Sequence, residues 1–199
     1  MGQDKTAQAD TTTQTSATQT SEMQINAAQA GAAQTLQAIN IDGVKLTDVF
    51  NEIVQVGIVV ENMDAAIKGM KQVFDLDPDA TSDNYYKNTW YRGEIITAPA
   101  KAAFYNFFNV QLEFLQPIDD DPSIWQDYLK EGPHHGHALH HLRFNVEDND
   151  VASALMERAG VAKYMEGQSL VDPTARFTYY DAVPLVGFII EAVTKPKDE

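Results

Sequence analysis

The sequence contains no cysteine. Disulfides, thiolate nucleophiles and Cys-ligated zinc are therefore excluded. Basic residues are scarce: 14 Lys and Arg stand against 29 Asp and Glu, for a formal net charge of -15. Nucleic-acid binding is not expected, because phosphate contacts need clustered Lys and Arg. The same balance argues against an anionic membrane surface. No apolar run approaches the ~20 residues that span a bilayer, so no membrane insertion is expected. No basic segment followed by an apolar stretch opens the chain, so no signal peptide is expected. A soluble cytoplasmic protein is the default expectation, and an exported or periplasmic one stays open because the chain begins with a spacer-like segment.

Aromatic residues are absent until Phe50. The stretch "TAQADTTTQTSATQTSEMQ" is Thr, Gln, Ala and Ser with almost nothing to bury, and cannot recover the entropy lost on ordering. Residues 1–45 are expected to be a disordered low-complexity tail, and residues 46–199 a single domain of 44%-hydrophobic composition or better. Histidine is confined as well. All five, His134, His135, His137, His140 and His141, fall in "GPHHGHALHHL".

What the domain does contain is an internal repeat. "VQVGIVVENMDAAIKGM" (54–70) lies over "HHLRFNVEDNDVASALM" (140–156), pairing Val60 with Val146, Glu61 with Glu147, Asp64 with Asp150 and Met70 with Met156. Each copy opens on an alternating strand, with Val54, Val56, Ile58 and Val60 on one face and Leu142, Phe144 and Val146 on its counterpart. An acidic turn follows, with Asn62 and either Asp148 or Asn149 as helix N-caps. Gly160 ends the second helix. The copies also close alike: "VQLEFL" (110–115) matches "FIIEAV" (188–193), pairing Glu113 with Glu191. Further strands are expected near 88–97 and 100–108, and near 163–167 and 174–181. The connector between the copies predicts a short helix from about Pro122 to Glu131.

The repeat therefore predicts an α+β fold of two βαβββ modules. Module 1 covers about 51–118, the connector 119–136 and module 2 about 137–196. The modules form a curved mixed sheet around a cleft, with the helices outside. Gln55 and His141 occupy equivalent places, as do Glu113 and Glu191, all on the strand face opposite the strongly apolar one. Polar residues on a wet strand face need no special explanation. Glu191 inside "GFIIEAV" does, because a carboxylate in an apolar run is costly unless paired or metal-bound. Packing the copies about a pseudo-twofold axis brings the four side chains to one centre. One imidazole, two carboxylates and an amide oxygen suit one divalent ion, Zn, Co, Ni or Mn.

These segments resemble the vicinal oxygen chelate superfamily, the glyoxalase, bleomycin-resistance and dioxygenase fold. The likeness covers about residues 51–196 and is carried by "VQVGIVVENMDAAI", "VQLEFLQPIDDDPSI", "GHALHHLRFNVEDNDVASALMERAGV" and "GFIIEAV". Within the superfamily the compact layout and the "LHHL" strand are most similar to methylmalonyl-CoA epimerase. The resemblance implies a metal site on Gln55, Glu113, His141 and Glu191, a small oxygenated substrate and a homodimer. It implies a metal-dependent isomerase, epimerase or lyase that stabilises an enolate-type intermediate, with Glu191 as the proton-transfer base and Glu113 as its partner on the opposite face. Arg143 and His137 are candidate substrate contacts, as is Tyr91 in the aromatic stretch "DNYYKNTWYRGEIITAP", whose rings could equally pack at an interface. A non-catalytic binding protein on the same fold is the alternative, as is a lactoylglutathione-lyase-like or dioxygenase activity. Because strand neighbours point to opposite faces, His140 and His141 cannot both enter the cleft from regular strand. The repeat selects His141, and His140 is expected to pack toward the helix side or a neighbouring strand.

Overall fold

A computed structural model of the chain describes residues 39–131, 137–170 and 174–194. The expected tail up to residue 38, His134 and His135 lie outside these residues. The chain runs through a two-residue ribbon, β1 (Asn40–Ile41) and β2 (Val44–Lys45), and a single turn of helix, α1 (Leu46–Val49). These cross the domain boundary expected near residue 45. Module 1 follows as β3 (Ile53–Val60), α2 (Met63–Phe74), β4 (Ala80–Tyr91), β5 (Glu94–Phe107) and β6 (Val110–Pro117). The connector carries α3 (Ile124–Glu131). Module 2 is β7 (His137–Val146), α4 (Asn149–Arg158), β8 (Ala162–Gln168), β9 (Arg176–Asp181), a turn of helix α5 (Val183–Val186) and β10 (Ile189–Thr194).

The eight long strands close into a barrel in the order β10-β7-β3-β6-β5-β4-β8-β9. Each module contributes its strands in the same sequence of first, last, third and second, as a repeat requires. The modules meet along β3 and β7, which pair antiparallel, with Gln55 opposite Arg143, Val56 opposite Leu142 and Gly57 opposite His141. This register is symmetric about Val56 and Leu142, which places the pseudo-twofold there. The ring closes on the far side through a short pairing of Trp90 with Glu166 and Tyr91 with Met165.

Local chemistry accounts for the two equivalent helices. Asn62 caps α2 by accepting from the Ala65 N–H at 2.9 Å, and Asp148 caps α4 by accepting from Asp150 and Val151. Both are side-chain acceptors for amides that a helix start leaves orphaned. Met63, Ile67 and Met70 recur at helical spacing and pack on Ala103, Tyr105 and Phe114. Ala152 and Met156 do the same on Val146, Tyr180 and Ala192. Helix α3 sends Ile124 and Trp125, each 1% exposed, into the barrel's own core among Ala98, Ala100, Leu115 and Phe177.

One hairpin differs from the expectation. A strand through 88–97 is replaced by a reversal at Arg92 and Gly93, both at positive φ, between β4 and β5. "YRGE" lacks the Asn-Gly or Asp-Gly pair that usually marks a two-residue turn. The polar run "TSDNYYKN" also hid the first half of β4. A bulge between Tyr86 and Thr89, with Asn88 at φ 54°, shifts β4 by one residue. Ser82, Asn84 and Tyr86 face the barrel interior before it, and Thr89 and Tyr91 after it.

Candidate functional site

The site is a pair of side-chain rows crossing four adjacent strands. In register, β6, β3, β7 and β10 place Glu113, Gly57, His141 and Ile189 in one row, and Gln111, Gln55, Arg143 and Glu191 in the next. All point into the barrel. Gln55, Glu113, Arg143 and Glu191 line a cavity of about 660 Å³ whose walls include Tyr86, Trp125 and Phe177. The polar strand face expected to line the cleft is the interior of the barrel, where Gln55 is 2% and His141 0% exposed.

Gly57 is what makes room for His141. A Cβ at position 57 would stand 1.9 Å from the imidazole Cε1, so the ring lies over the space the glycine leaves. The Nε2 atom sits 3.2 Å from Glu191 Oε2 and 3.4 Å from Glu113 Oε2. It makes no directional hydrogen bond to either, and Nε2 and Glu191 Oε2 are both buried polar atoms without a hydrogen-bond partner. Tyr179, the register partner of Glu191 on β9, favours the ionised form of that carboxyl through its hydroxyl. Gln55 turns its amide nitrogen to Gln111 Oε1 at 2.6 Å.

The structure therefore brings Glu113, His141 and Glu191 together, with Gln55 and Arg143 beside them on the same wall. The other two expected contacts stand elsewhere. His137 is exposed at the start of β7, opposite Val60, and does not line the cavity. Tyr91 is buried where the barrel closes. Its hydroxyl donates to Asp127 of α3, its ring stacks on Tyr164 at 5.9 Å, and Arg92 reaches Asp127 at 3.1 Å. This cluster ties module 1 to module 2. Tyr91→Phe is expected to cost about 1 kcal/mol. At this chain length that lowers the melting temperature by roughly 2–4 °C, with ligand binding in the cavity unchanged. Calorimetry on the two proteins checks it.

Three residues of the site went unnoticed in the sequence, Gly57, Gln111 and Tyr179, while His140 packs on Tyr128 of helix α3 as expected of it. The repeat carried a signal for two of them. Gly57 aligns with Arg143 and Gln111 with Ile189, so both mark places where the copies differ.

Burial would push the His141 imidazole down, but the two carboxylates beside it overcome this and raise it to about 9. Burial raises the Glu113 carboxyl above its ordinary value. Burial acts the same way on Glu191, but His141 and Arg143 outweigh it and hold that carboxyl below the ordinary value. Protein stripped of metal should thus lose stability with rising pH. A histidine moved from 6.5 unfolded to about 9 folded contributes in full below pH 6.5 and is lost as pH climbs through 9. The shift corresponds to roughly 3 kcal/mol. Urea midpoints between pH 6 and 9 measure this, and a level or rising midpoint contradicts it.

As the side chains stand, no three His, Cys, Asp or Glu among the described residues form a group that could hold a metal ion, so binding one requires some rearrangement. The donor chemistry nonetheless fits. Ligands at ~2.1 Å from a divalent ion stand roughly 3.0–3.4 Å apart, which matches the spacing about Nε2, and Nε2 and Glu191 Oε2 are left without other partners. Among the described residues no helix is long and apolar enough to cross a membrane.

Comparison with known proteins agrees with this architecture. Solved structures similar in fold include methylmalonyl-CoA epimerase from Mycobacterium tuberculosis, at 18% identity and a TM-score of 0.54, covering 75% of this chain and 91% of that one. Another is the Streptomyces coelicolor epimerase in complex with 2-nitronate-propionyl-CoA, at 19% identity and a TM-score of 0.54, covering 74% and 96%. A hypothetical protein from Bacillus halodurans matches at 15% identity and a TM-score of 0.55, covering 74% and 96%. A search of curated proteins finds no match. The profile of the Glyoxalase/Bleomycin resistance protein/Dioxygenase superfamily matches residues 54–179, well over half of the chain. The chain belongs to the Glyoxalase/Bleomycin resistance protein/Dioxygenase superfamily.

Proposed function

We propose that this chain is a metal-dependent isomerase, epimerase or lyase that moves a proton at a carbon next to a carbonyl. The observation that carries the proposal is the pair of buried carboxylates, Glu113 and Glu191, flanking one buried imidazole on the wall of a cavity. A divalent ion, Zn, Co, Ni or Mn, held by Glu113, His141 and Glu191 with the Gln55 amide oxygen, would act as a Lewis acid that acidifies the neighbouring C–H.

The chain's own residues supply the proton transfer. Glu191, on one side of His141, is the base: displaced from ligation when substrate binds, it takes the substrate proton on its carboxylate. Glu113, on the other side of His141, is the partner that, in its carboxylic-acid form, returns a proton to the opposite face of that carbon. The substrate C–H bond breaks as its proton passes to Glu191, a new C–H bond forms with the proton of Glu113, and the configuration inverts; exchange with solvent then unloads Glu191 and reloads Glu113. Arg143, whose Nε is buried without a partner, lines the same wall and suits a substrate carboxylate or carbonyl oxygen. Tyr86, Trp125 and Phe177 supply apolar walls that keep water from the carbanion.

The test has two parts. Metal analysis of purified protein should find about one divalent ion per chain, the stoichiometry of a single four-ligand site. Incubation in deuterium oxide with a panel of 2-substituted acyl-CoAs and α-hydroxy ketones should then show exchange at the 2-carbon of at least one. A protein that takes up no ion and exchanges no substrate is a binding protein on the same fold. The observation that favours that second reading is that, as the side chains stand, no three His, Cys, Asp or Glu among the described residues form a metal-holding group.

A further inference from the structure

The cavity is short of cations. Among the described residues that line it, Asp79, Glu113 and Glu191 are acidic and Arg143 alone is basic. The chain as a whole carries a formal net charge of -15. A ligand with several phosphates would meet repulsion on approach and a single guanidinium on arrival. The lining is rich instead in neutral groups that both donate and accept. Ser82 and Asn84 on β4, Asn106 on β5 and Gln111 on β6 stand on three adjacent strands. Tyr86, Trp125 and Phe177 add their rings to the walls. Two donors of this lining are unsatisfied. The Trp125 indole Nε1 and the Arg143 guanidinium Nε are buried and have no hydrogen-bond partner. Neither group can accept, so both call for acceptor oxygens that enter the cavity.

We infer that the cavity takes a hydroxylated carbonyl compound with one acid group, a sugar acid, and rejects coenzyme A thioesters. Its carboxylate pairs with Arg143, whose guanidinium fork matches a carboxylate and whose bonds to it are charge-assisted. A neutral oxygen accepts from the Trp125 N–H. The hydroxyls face Ser82, Asn84 and Asn106, because a hydroxyl, like these side chains, both donates and accepts. The apolar C–H faces of the sugar suit the rings of Tyr86 and Phe177. A plain acyl chain would leave those polar groups unpaired, which is how such a site rejects an analogue that lacks the hydroxyls. Arg143 is the register neighbour of Glu191 on β10, so an acid group held there brings the molecule beside that carboxylate. In its open-chain form a sugar acid has a C–H next to a carbonyl, the bond that the proposed chemistry breaks. That the compound is a substrate rests on the function proposed above. That it binds rests on the cavity.

Binding calorimetry on the full-length protein, as purified and with zinc added, tests the inference. The probes are glucuronate and galacturonate, their uncharged parents glucose and galactose, and propionyl-CoA. At least one sugar acid should bind, its parent sugar more weakly, and propionyl-CoA not at all. Arg143→Gln should weaken the sugar acid by roughly 10–100-fold, the loss of a charged hydrogen-bond pair, and leave the parent sugar nearly unchanged. A purely structural role for Arg143 would move both alike. Trp125→Phe removes the N–H and should weaken acid and parent equally, by roughly 2–10-fold. The inference is overturned, whether or not either variant folds, if neither sugar acid binds or if propionyl-CoA binds more tightly than both. It is also overturned if Arg143→Gln keeps the full preference for acid over parent. A sugar acid that binds but exchanges no deuterium leaves the ligand class standing and fails the proton-transfer reading. Exchange into propionyl-CoA upholds that reading and overturns this inference.

Discussion

Gly57→Ala is expected to unseat His141 and to destabilise the protein by more than about 3 kcal/mol. A single methyl group does this because of where it lands: 1.9 Å from Cε1, 2.2 Å from Nδ1 and 2.4 Å from Nε2 of a fully buried ring. The ring has no room to retreat. His140 holds its Nδ1 at 2.9 Å, and the Tyr179 ring packs against it with centroids 5.2 Å apart. Overpacking a core typically costs 1–3 kcal/mol, and here the displaced group is also the partner of two buried carboxylates, which would be left uncompensated. The melting temperature should fall by at least roughly 6–12 °C, at 2–4 °C per kcal/mol for a chain of this size. The control is Gly69→Ala in α2, where nothing lies within 4 Å of the added Cβ. There the usual helix preference for Ala should raise stability by up to about 1 kcal/mol. Opposite signs for the same chemical change identify the imidazole contact as the cause. A Gly57→Ala protein that melts with the unsubstituted one would show that the ring has another place to go.

Much of this site was legible because it is built twice. The alignment of Gln55 with His141 and of Glu113 with Glu191 reappears as two in-register rows across β6, β3, β7 and β10. Hydrophobic alternation and the caps at Asn62 and Asp148 were enough to place the equivalent strands and helices. What escaped the sequence is what breaks periodicity. A bulge at His140, between the pairs Gly57–His141 and Ile58–Leu139, undoes the two-residue alternation on which the separation of His140 from His141 rested. The bulge at Asn88 and the Arg92–Gly93 turn hid the first hairpin, because nothing in "YYKNTWYRGE" announces positive φ at Asn88 or Arg92. Tyr91 drew attention as an aromatic near the cleft, yet its contacts with Asp127 and Tyr164 are set by where the two modules meet, a long-range fact. Polar residues on one face of β3 and β7 marked the cleft side of the sheet. A closed barrel turned that face inward, and its cost is offset by pairing among the residues themselves.

Glu191→Gln is expected to lower substrate deuterium exchange by about 10²–10⁴-fold, the usual contribution of a positioned base. Gln is close to Glu in shape and keeps a carbonyl oxygen beside Tyr179, so the fold should survive. Its nitrogen cannot take a proton from carbon. Both Glu191→Gln and Glu113→Gln remove a charge beside His141, so each should let its imidazole fall from about 9 toward the ordinary value. That shared electrostatic change is the reason to compare the two variants. Starting from the epimer whose C–H faces Glu191, Glu113→Gln keeps exchange at the substrate carbon but loses inversion, so label enters with retained configuration. Glu191→Gln loses both. The measurement is deuterium content alongside chiral analysis of recovered substrate, with metal held at saturation so that weakened ligation does not enter. Exchange that survives in Glu191→Gln and disappears in Glu113→Gln would reverse the two roles. Exchange that survives in both would remove the carboxylates from the chemistry and leave them as structural partners of His141.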